Sequence, residues 1–408
     1  AAGAAATNGY FQHGYGPESK SMAGAGTAVP LSAISTYANP ATGVYLGTRY
    51  DIAAELFLVG TSYTVTGATG SAAQSPLALG KTESDADMFF IPHLGANWKL
   101  DDVSAASVVL FGAGGLATDY PVSSFGDAST TTGVALNQLV TAFSYSREVV
   151  KNHALGVSLL LAGQQFEAKG LGIFGLMQMS TDSLKIGNNG KDYGFGYGAR
   201  IGYMGRIHPM VSIGASYQSK ILMSEFKEYA GLFAEQGDFD IPANWNVGIA
   251  IKPIDKLVVA VDVQQILYSG VAAVGNGLSP LLIPEPNTIL LGADGGAGFG
   301  WDDVMIYKVG AQYGLTETLT LRAGYSYATQ AIPSSEMLLN TLAPAVVQQH
   351  VALGATWTSP CGKSVSIAIT HALSNSVDGD LPITQAPNIQ NVALDMKQWD
   401  IEIGFTLK

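Results

Sequence analysis

Residues 319–327 read Leu319-Thr320-Leu321-Arg322-Ala323-Gly324-Tyr325-Ser326-Tyr327, with large apolar residues at the odd positions and small or polar ones at the even. The same alternation runs through Trp399–Leu407 and through Val365, Ile367 and Ile369 against Ser364, Ser366, Ala368 and Thr370. Successive side chains of a strand point to opposite faces, so a period of two marks a β-strand with one apolar face. A soluble sandwich carries the same signature, and the choice between sandwich and barrel rests on composition and on the links between strands.

Charged residues are 13% of the 408-residue chain, about half of the roughly 25% usual in soluble domains. Hydrophobic residues are 47%, with 49 glycines. Such a surface is poorly suited to water, yet no apolar run approaches the ~18–20 residues of a spanning helix. A closed barrel is the other structure that satisfies its backbone within lipid. The net charge of -12 argues against nucleic acid as a partner. The single cysteine, Cys361, has no internal partner for a disulfide. Ala1–Ala6 reads as the small-residue remnant beside a cleavage site, which suggests a mature exported chain.

The alternating segments number fourteen, beginning near 48–66, 86–99 and 106–118 and ending near 395–407. Their links alternate. Short ones fall at Leu100–Ala105, Val150–Lys151, Ile207–His208, Pro253–Asp255, Thr316–Glu317 and Pro360–Gly362. Long ones cover 67–85, 119–135, 169–191, 223–240, 269–302, 332–347 and 377–394. An even strand number with tight turns at one end and long loops at the other is the pattern of bacterial outer-membrane barrels. Trp98, Tyr145, Tyr217, Trp245, Trp357 and Trp399 near strand ends suit interfacial girdles. Charges on the small-residue face, among them Arg200, Asp262, Lys308, Asp400 and Glu402, are expected to point into the lumen, because a lipid-facing Arg or Lys at midplane costs ~2–4 kcal/mol. Both termini then lie on the periplasmic side. Residues 1–47, which lack strand alternation, are expected to enter the barrel of residues 48–408 as a plug.

That leading segment, with its aromatic-Gly start, the small-residue run Met22–Thr27 and Asn39-Pro40-Ala41, resembles the N-terminal signature of the FadL/TodX/OmpP1 family of outer-membrane channels for hydrophobic compounds. Phe90–Tyr120 and Tyr307–Trp357 are similar to further family stretches. The resemblance implies an all-β, fourteen-stranded transmembrane antiparallel barrel in a Gram-negative outer membrane, with an N-terminal hatch in its lumen. It also implies passive uptake of long-chain fatty acids, alkanes or aromatic hydrocarbons, captured by apolar external loops and released laterally at a kink in the third strand.

Phe111, Gly112, Ala113, Gly114 and Gly115 are the place for that kink, since glycine within a strand weakens pairing and marks bulges. In the hatch, Phe11 and Met22 are candidate pocket residues, and Asn39-Pro40 reads as a fixed turn. Leu171, Ile173, Phe174, Leu176, Met177 and Met179 make one loop apolar, and Phe226 and Phe233 another. Exposed apolar patches of this kind mark binding surfaces. Family members that carry fatty acids place basic residues near the pocket, and here Gln164, Gln165 and Lys169 fall in the corresponding region, with Arg200 and Arg322 as further head-group candidates. Neutral glutamines there favour a neutral hydrophobe over a carboxylate. No G-x-S-x-G or complete phosphate loop occurs, and the six histidines lack metal-ligand spacing, so neither enzyme, cofactor nor metal is expected. The expected partners are an apolar small molecule, outer-membrane lipid and lipopolysaccharide, around a monomer. A general porin and a surface adhesin or receptor are the alternatives; the plug argues against the first and the apolar loops against the second.

Overall fold

The wall is built in chain order in the computed structural model, which describes residues 7–67, 77–126, 131–283, 286–381 and 389–408. The Ala1–Ala6 reading lies outside these residues. The strands are β1 Arg49–Gly67, β2 Gly80–Glu83, β3 Met88–Lys99, β4 Ser104–Tyr120, β5 Thr132–Val150, β6 His153–Lys169, β7 Asp192–His208 and β8 Val211–Gln218. They continue with β9 Leu222–Met223, β10 Asn244–Ile254, β11 Leu257–Ile266, β12 Val304–Gly314, β13 Leu319–Ala328, β14 Gln349–Thr358, β15 Ser364–Asp380 and β16 Gln390–Leu407. Apart from β2 and β9, consecutive strands pair antiparallel around the wall, and β16 pairs β1 from Tyr50↔Leu407 to Gly67↔Gln390, which closes the sheet. Segments β2 and β3 both pair β1 and share one wall position, while β9 continues β8 along β7. The wall is therefore the expected fourteen-stranded closed barrel.

The pleat sorts the residues as their alternation implies. Leu155, Val157, Leu159 and Leu161 of β6 and Ile367 and Ile369 of β15 are exposed on the outside, whereas Ser158, Ser366 and Thr370 are buried inside. Several strands run further than alternation alone marks. β15 and β16 stay paired out to Asp380↔Asn391, and β2 occupies part of the expected 67–85 link.

Residues 7–46 are almost wholly buried and contain only short helical turns, at Pro17–Lys20, Ile34–Tyr37 and Pro40–Tyr45. Inward glycines from all round the wall receive this segment at distances no side chain would permit. A Cβ on Gly202 of β7 would lie 2.1 Å from Asn39 Oδ1, one on Gly214 of β8 2.3 Å from Thr27 O, and one on Gly324 of β13 2.2 Å from the Met22 carbonyl carbon. A segment that touches opposite sides of a closed wall is inside it.

Candidate functional site

The wall is incomplete between β3 and β4. These strands pair only from His93↔Phe111 down to Lys99↔Ala105. Beyond Phe111, toward the long loops, β4 keeps its β5 partner but has no β3 partner among the described residues. The two sides meet again at the top, where Asp85 N donates to Asp119 O at 2.8 Å and Asp119 N to Ser84 Oγ at 3.0 Å. Pro92 sits on the facing edge of β3, where a missing N–H does least harm.

The local sequence of β4 explains the break. Its register against β5 shifts between Gly112 and Gly114, so Ala113 is a bulge. The N-terminal segment takes up pairing that β3 has relinquished: Phe11 bridges Gly114, and Gly115 N donates to Tyr10 O at 3.0 Å. A Cβ on Gly114 would lie 2.1 Å from Tyr10 O, so only glycine admits this approach. Phe111 turns inward onto Tyr37 and Tyr15, with ring centroids 4.2 and 5.1 Å away. Thus all five kink residues and Phe11 come together. Met22 lies elsewhere, in a separate apolar cluster with Ala25, Ala28 and Val29.

Two small apolar cavities lie behind the gap. One is lined by Phe57, Phe89, Leu116, Ala117 and Ala343–Ala345. The other is lined by Phe166, Phe233, Leu291, Phe299, Leu339 and Leu342. Residues 339–345 thus separate them, tied to β4 by Thr118 Oγ1 donating to Leu342 O at 2.8 Å and by Tyr120 Oη donating to Thr341 O at 2.7 Å. No charged side chain lines either cavity.

The loop residues divide. Leu171, Phe174, Phe226 and Phe233 are buried, with Ile173 and Met179 packed partly buried against the same cluster. Phe166 packs tilted against Phe226 and edge-on against Phe233, with ring centroids 5.6 and 4.7 Å away, so these rings form the cap of the lumen and not its outer surface. Leu176 and Met177 are 78% and 56% exposed at the loop tip. The cap also holds an acid. Burial, then Asp240 and Glu235, pushes the Asp238 carboxyl up to about 6 from its ordinary 3.8. The folded state therefore binds more protons than the unfolded chain between those values, and cap stability falls as pH rises through that window. Amide exchange at Phe226, Tyr229 and Phe233 is expected to be slower at pH 5 than at pH 7.5 after correction for intrinsic rates. Asp238→Asn is expected to remove the difference.

The head-group candidates do not converge. Gln164 faces inward and donates from Nε2 to Phe239 O at 2.9 Å, while Gln138 donates to its Oε1 at 3.2 Å. Gln165 and Lys169 are one and five residues further along β6, so the pleat turns both to the outside of the wall, with Lys169 3.9 Å from Glu167. Arg200 donates to Ala38 O at 2.9 Å, stacks 4.4 Å from the Tyr37 ring and binds Gln218. Arg322 donates to Gln312 at 2.8 Å and to Thr356 at 2.6 Å. These arginines hold the hatch and the wall.

Other wall charges hold the hatch in the same way. Asp262 accepts from Gly26 N, Thr27 N and Thr27 Oγ1 at 2.7–2.8 Å. Asp51 accepts from Ala33 N at 2.6 Å and from Arg49. Asn39 donates to Thr27 O and Tyr203 O and accepts from Ala41 N, which fixes the Asn39-Pro40 turn. Alternation alone does not single out the densest contact. Lys20 Nζ lies 2.6 Å from Glu55 of β1, 2.7 Å from Asp400 and 3.7 Å from Glu402 of β16, all buried. His93 joins Glu55 at 3.1 Å, and Glu55, His93 and Glu402 hold their donor atoms within 4.8 Å, a grouping that linear spacing does not reveal. Glu55 and His93 each lie on the inward face of their strands, which was the available signal.

A closed antiparallel wall with an apolar exterior and a buried segment inside it defines a transmembrane β-barrel. Comparison with known proteins agrees. Residues 1–395 match the family model described as outer membrane protein transport protein (OMPP1/FadL/TodX). The fold is similar to that of the Pseudomonas putida toluene transporter TodX (TM-score 0.69, 18% identity, 97% of this chain and 98% of that one). It is also similar to a Pseudomonas aeruginosa FadL homologue (0.71, 14%, 98% and 99%) and to the Ralstonia pickettii toluene transporter TbuX (0.64, 18%, 97% and 98%). No curated protein sequence matches. The chain belongs to the OMPP1/FadL/TodX family and is a Gram-negative outer-membrane transporter of hydrophobic compounds.

Proposed function

We propose that this chain carries small neutral hydrophobes, such as monoaromatics or short alkanes, inward by passive diffusion and releases them sideways into the membrane. The observation that carries this reading is the unpaired stretch of β4 beyond Phe111, beside an apolar cavity without a charged lining. Substrate meets the exposed Leu176 and Met177, passes the Phe166 and Phe233 rings, and crosses residues 339–345 to reach Leu116 and Ala117. Residues 7–47 act as a hatch that blocks the axial route. A carboxylate on this path would lose water with no cationic partner to replace it. Two of the similar solved structures are toluene transporters, which supports the same class of substrate.

Uptake of radiolabelled toluene, octane and oleate by cells with and without the channel tests the substrate class. The channel-dependent rate is expected to favour toluene and octane over oleate by about tenfold, the worth of one missing charge-assisted interaction. Equal or faster oleate entry would discard the neutral-substrate reading.

A further inference from the structure

The outside of the wall carries a feature that the transport route does not use. Register aligns the outward side chains of β5, β6, β7, β8 and β10 into rows. Tyr145, Val157, Ile201, Tyr217 and Trp245 form one row. The adjacent row, nearer the short turn after β5, is Arg147, Leu155, Tyr203, Ala215 and Val247. Ala215 is the small member of this patch, and its larger neighbours stand above it to leave an outward-facing groove of about 760 Å³. Tyr145, Tyr203, Tyr217 and Trp245 border it. Arg147 lines the same groove and is exposed, and its guanidinium makes no hydrogen bond or ion pair with any described residue. Asp101 in the β3–β4 turn feels its charge without pairing to it.

A guanidinium on the lipid face of a barrel needs a reason. Its cost is ~2–4 kcal/mol at midplane and falls to ~0–1 kcal/mol near an interface. Arg147 lies close to the end of β5 at Val150, on the side of the short turns, which is the periplasmic leaflet. Tyrosine and tryptophan concentrate at that depth because one end of each ring prefers water. Guanidinium is the side chain best matched to a phosphate, which it binds with two parallel hydrogen bonds. The apolar floor, the aromatic border and the single cation together describe a molecule with a hydrocarbon chain and an anionic head. Lipopolysaccharide occupies the opposite leaflet, at the long-loop end.

We propose that this groove is a binding site for one glycerophospholipid of the periplasmic leaflet, its acyl chain over Ala215 and its phosphate on Arg147. The site is independent of the exit between β3 and β4, so either can fail without the other.

Native mass spectrometry of the full chain in detergent tests it, with added phosphatidylglycerol, phosphatidylethanolamine or uncharged diacylglycerol. One phospholipid of either kind is expected to remain bound at collision energies that strip the detergent, and diacylglycerol is not. Arg147→Gln and Ala215→Trp are each expected to lower phospholipid retention by about tenfold, the former by removing a charge-assisted contact and the latter by filling the floor. A gel-mobility shift on heating confirms that each variant is a folded barrel. Retention of diacylglycerol equal to that of phospholipid would overturn the phosphate assignment, and retention unchanged in both folded variants would overturn the site.

Discussion

In cells expressing Ala117→Trp, channel-dependent hydrophobe uptake is expected to fall to near the level of cells lacking the channel, while the barrel still folds. Ala117 lines the cavity behind the gap beside Phe89 and Leu116, on the stretch of β4 with no β3 partner. An indole there fills the passage without breaking a strand pair. The overpacking cost of ~1–3 kcal/mol falls where the wall is already open and can yield. Gly114 is a poorer choice, because a side chain there would strike Tyr10 O and confound the gap with the hatch. A reversible version joins the two edges. A Cβ on Gly112 would lie 4.0 Å from Ile91 Cβ, inside the ~3.5–4.5 Å range of disulfides. With Cys361→Ser to remove the exposed free thiol, Ile91→Cys paired with Gly112→Cys is expected to lose uptake when oxidised and regain it when reduced. Full uptake in both designs would show that substrate leaves by another route.

Lys20→Met is expected to be the most damaging single change in the hatch. It leaves Glu55, Asp400 and Glu402 buried together without their cation. Removing one partner from a buried ion pair typically costs ~3–5 kcal/mol, most of it the uncompensated charge left behind. Denaturant unfolding of the purified chain should register this loss, and planar-bilayer recordings should show an axial leak as the hatch loosens. Adding Asp400→Asn and Glu402→Gln to Lys20→Met removes the surplus charge and is expected to recover much of the stability. A Lys20→Met chain as stable as its parent would mean that other contacts, such as those of Asp262 with Gly26 and Thr27, hold the hatch alone.

How far the sequence disclosed this arrangement depends on whether a feature is local. The wall was legible because the pleat repeats at every second residue and the short turns punctuate it. The bulge at Ala113 was legible because Gly112, Gly114 and Gly115 weaken pairing wherever they occur in a strand. The loss of β3–β4 pairing beyond Phe111 was not, since nothing in Met88–Pro92 alone states that this edge will lack a partner. Exposure of the apolar loops was legible only in part. Phe226 and Phe233 both pack on Phe166, which comes from an earlier strand, and composition cannot tell a ring that covers a lumen from one that faces water. Gln165 and Lys169 illustrate the opposite limit: their face follows from parity within β6, which a likeness of residue types does not carry.

The position of Lys20 also bears on how the barrel is assembled. Its carboxylate partners lie on the first and last strands, which are the two edges that must find each other when the sheet closes. A slip of one residue in that final pairing would turn every side chain of β16 to the other face and drive Asp400 and Glu402 into lipid. With the N-terminal segment already in place, only the native register lets both acids reach the ammonium. The N-terminal segment is therefore expected to act as a template for the seam, and chains lacking it to reach the closed state more slowly and with more misregistered ends.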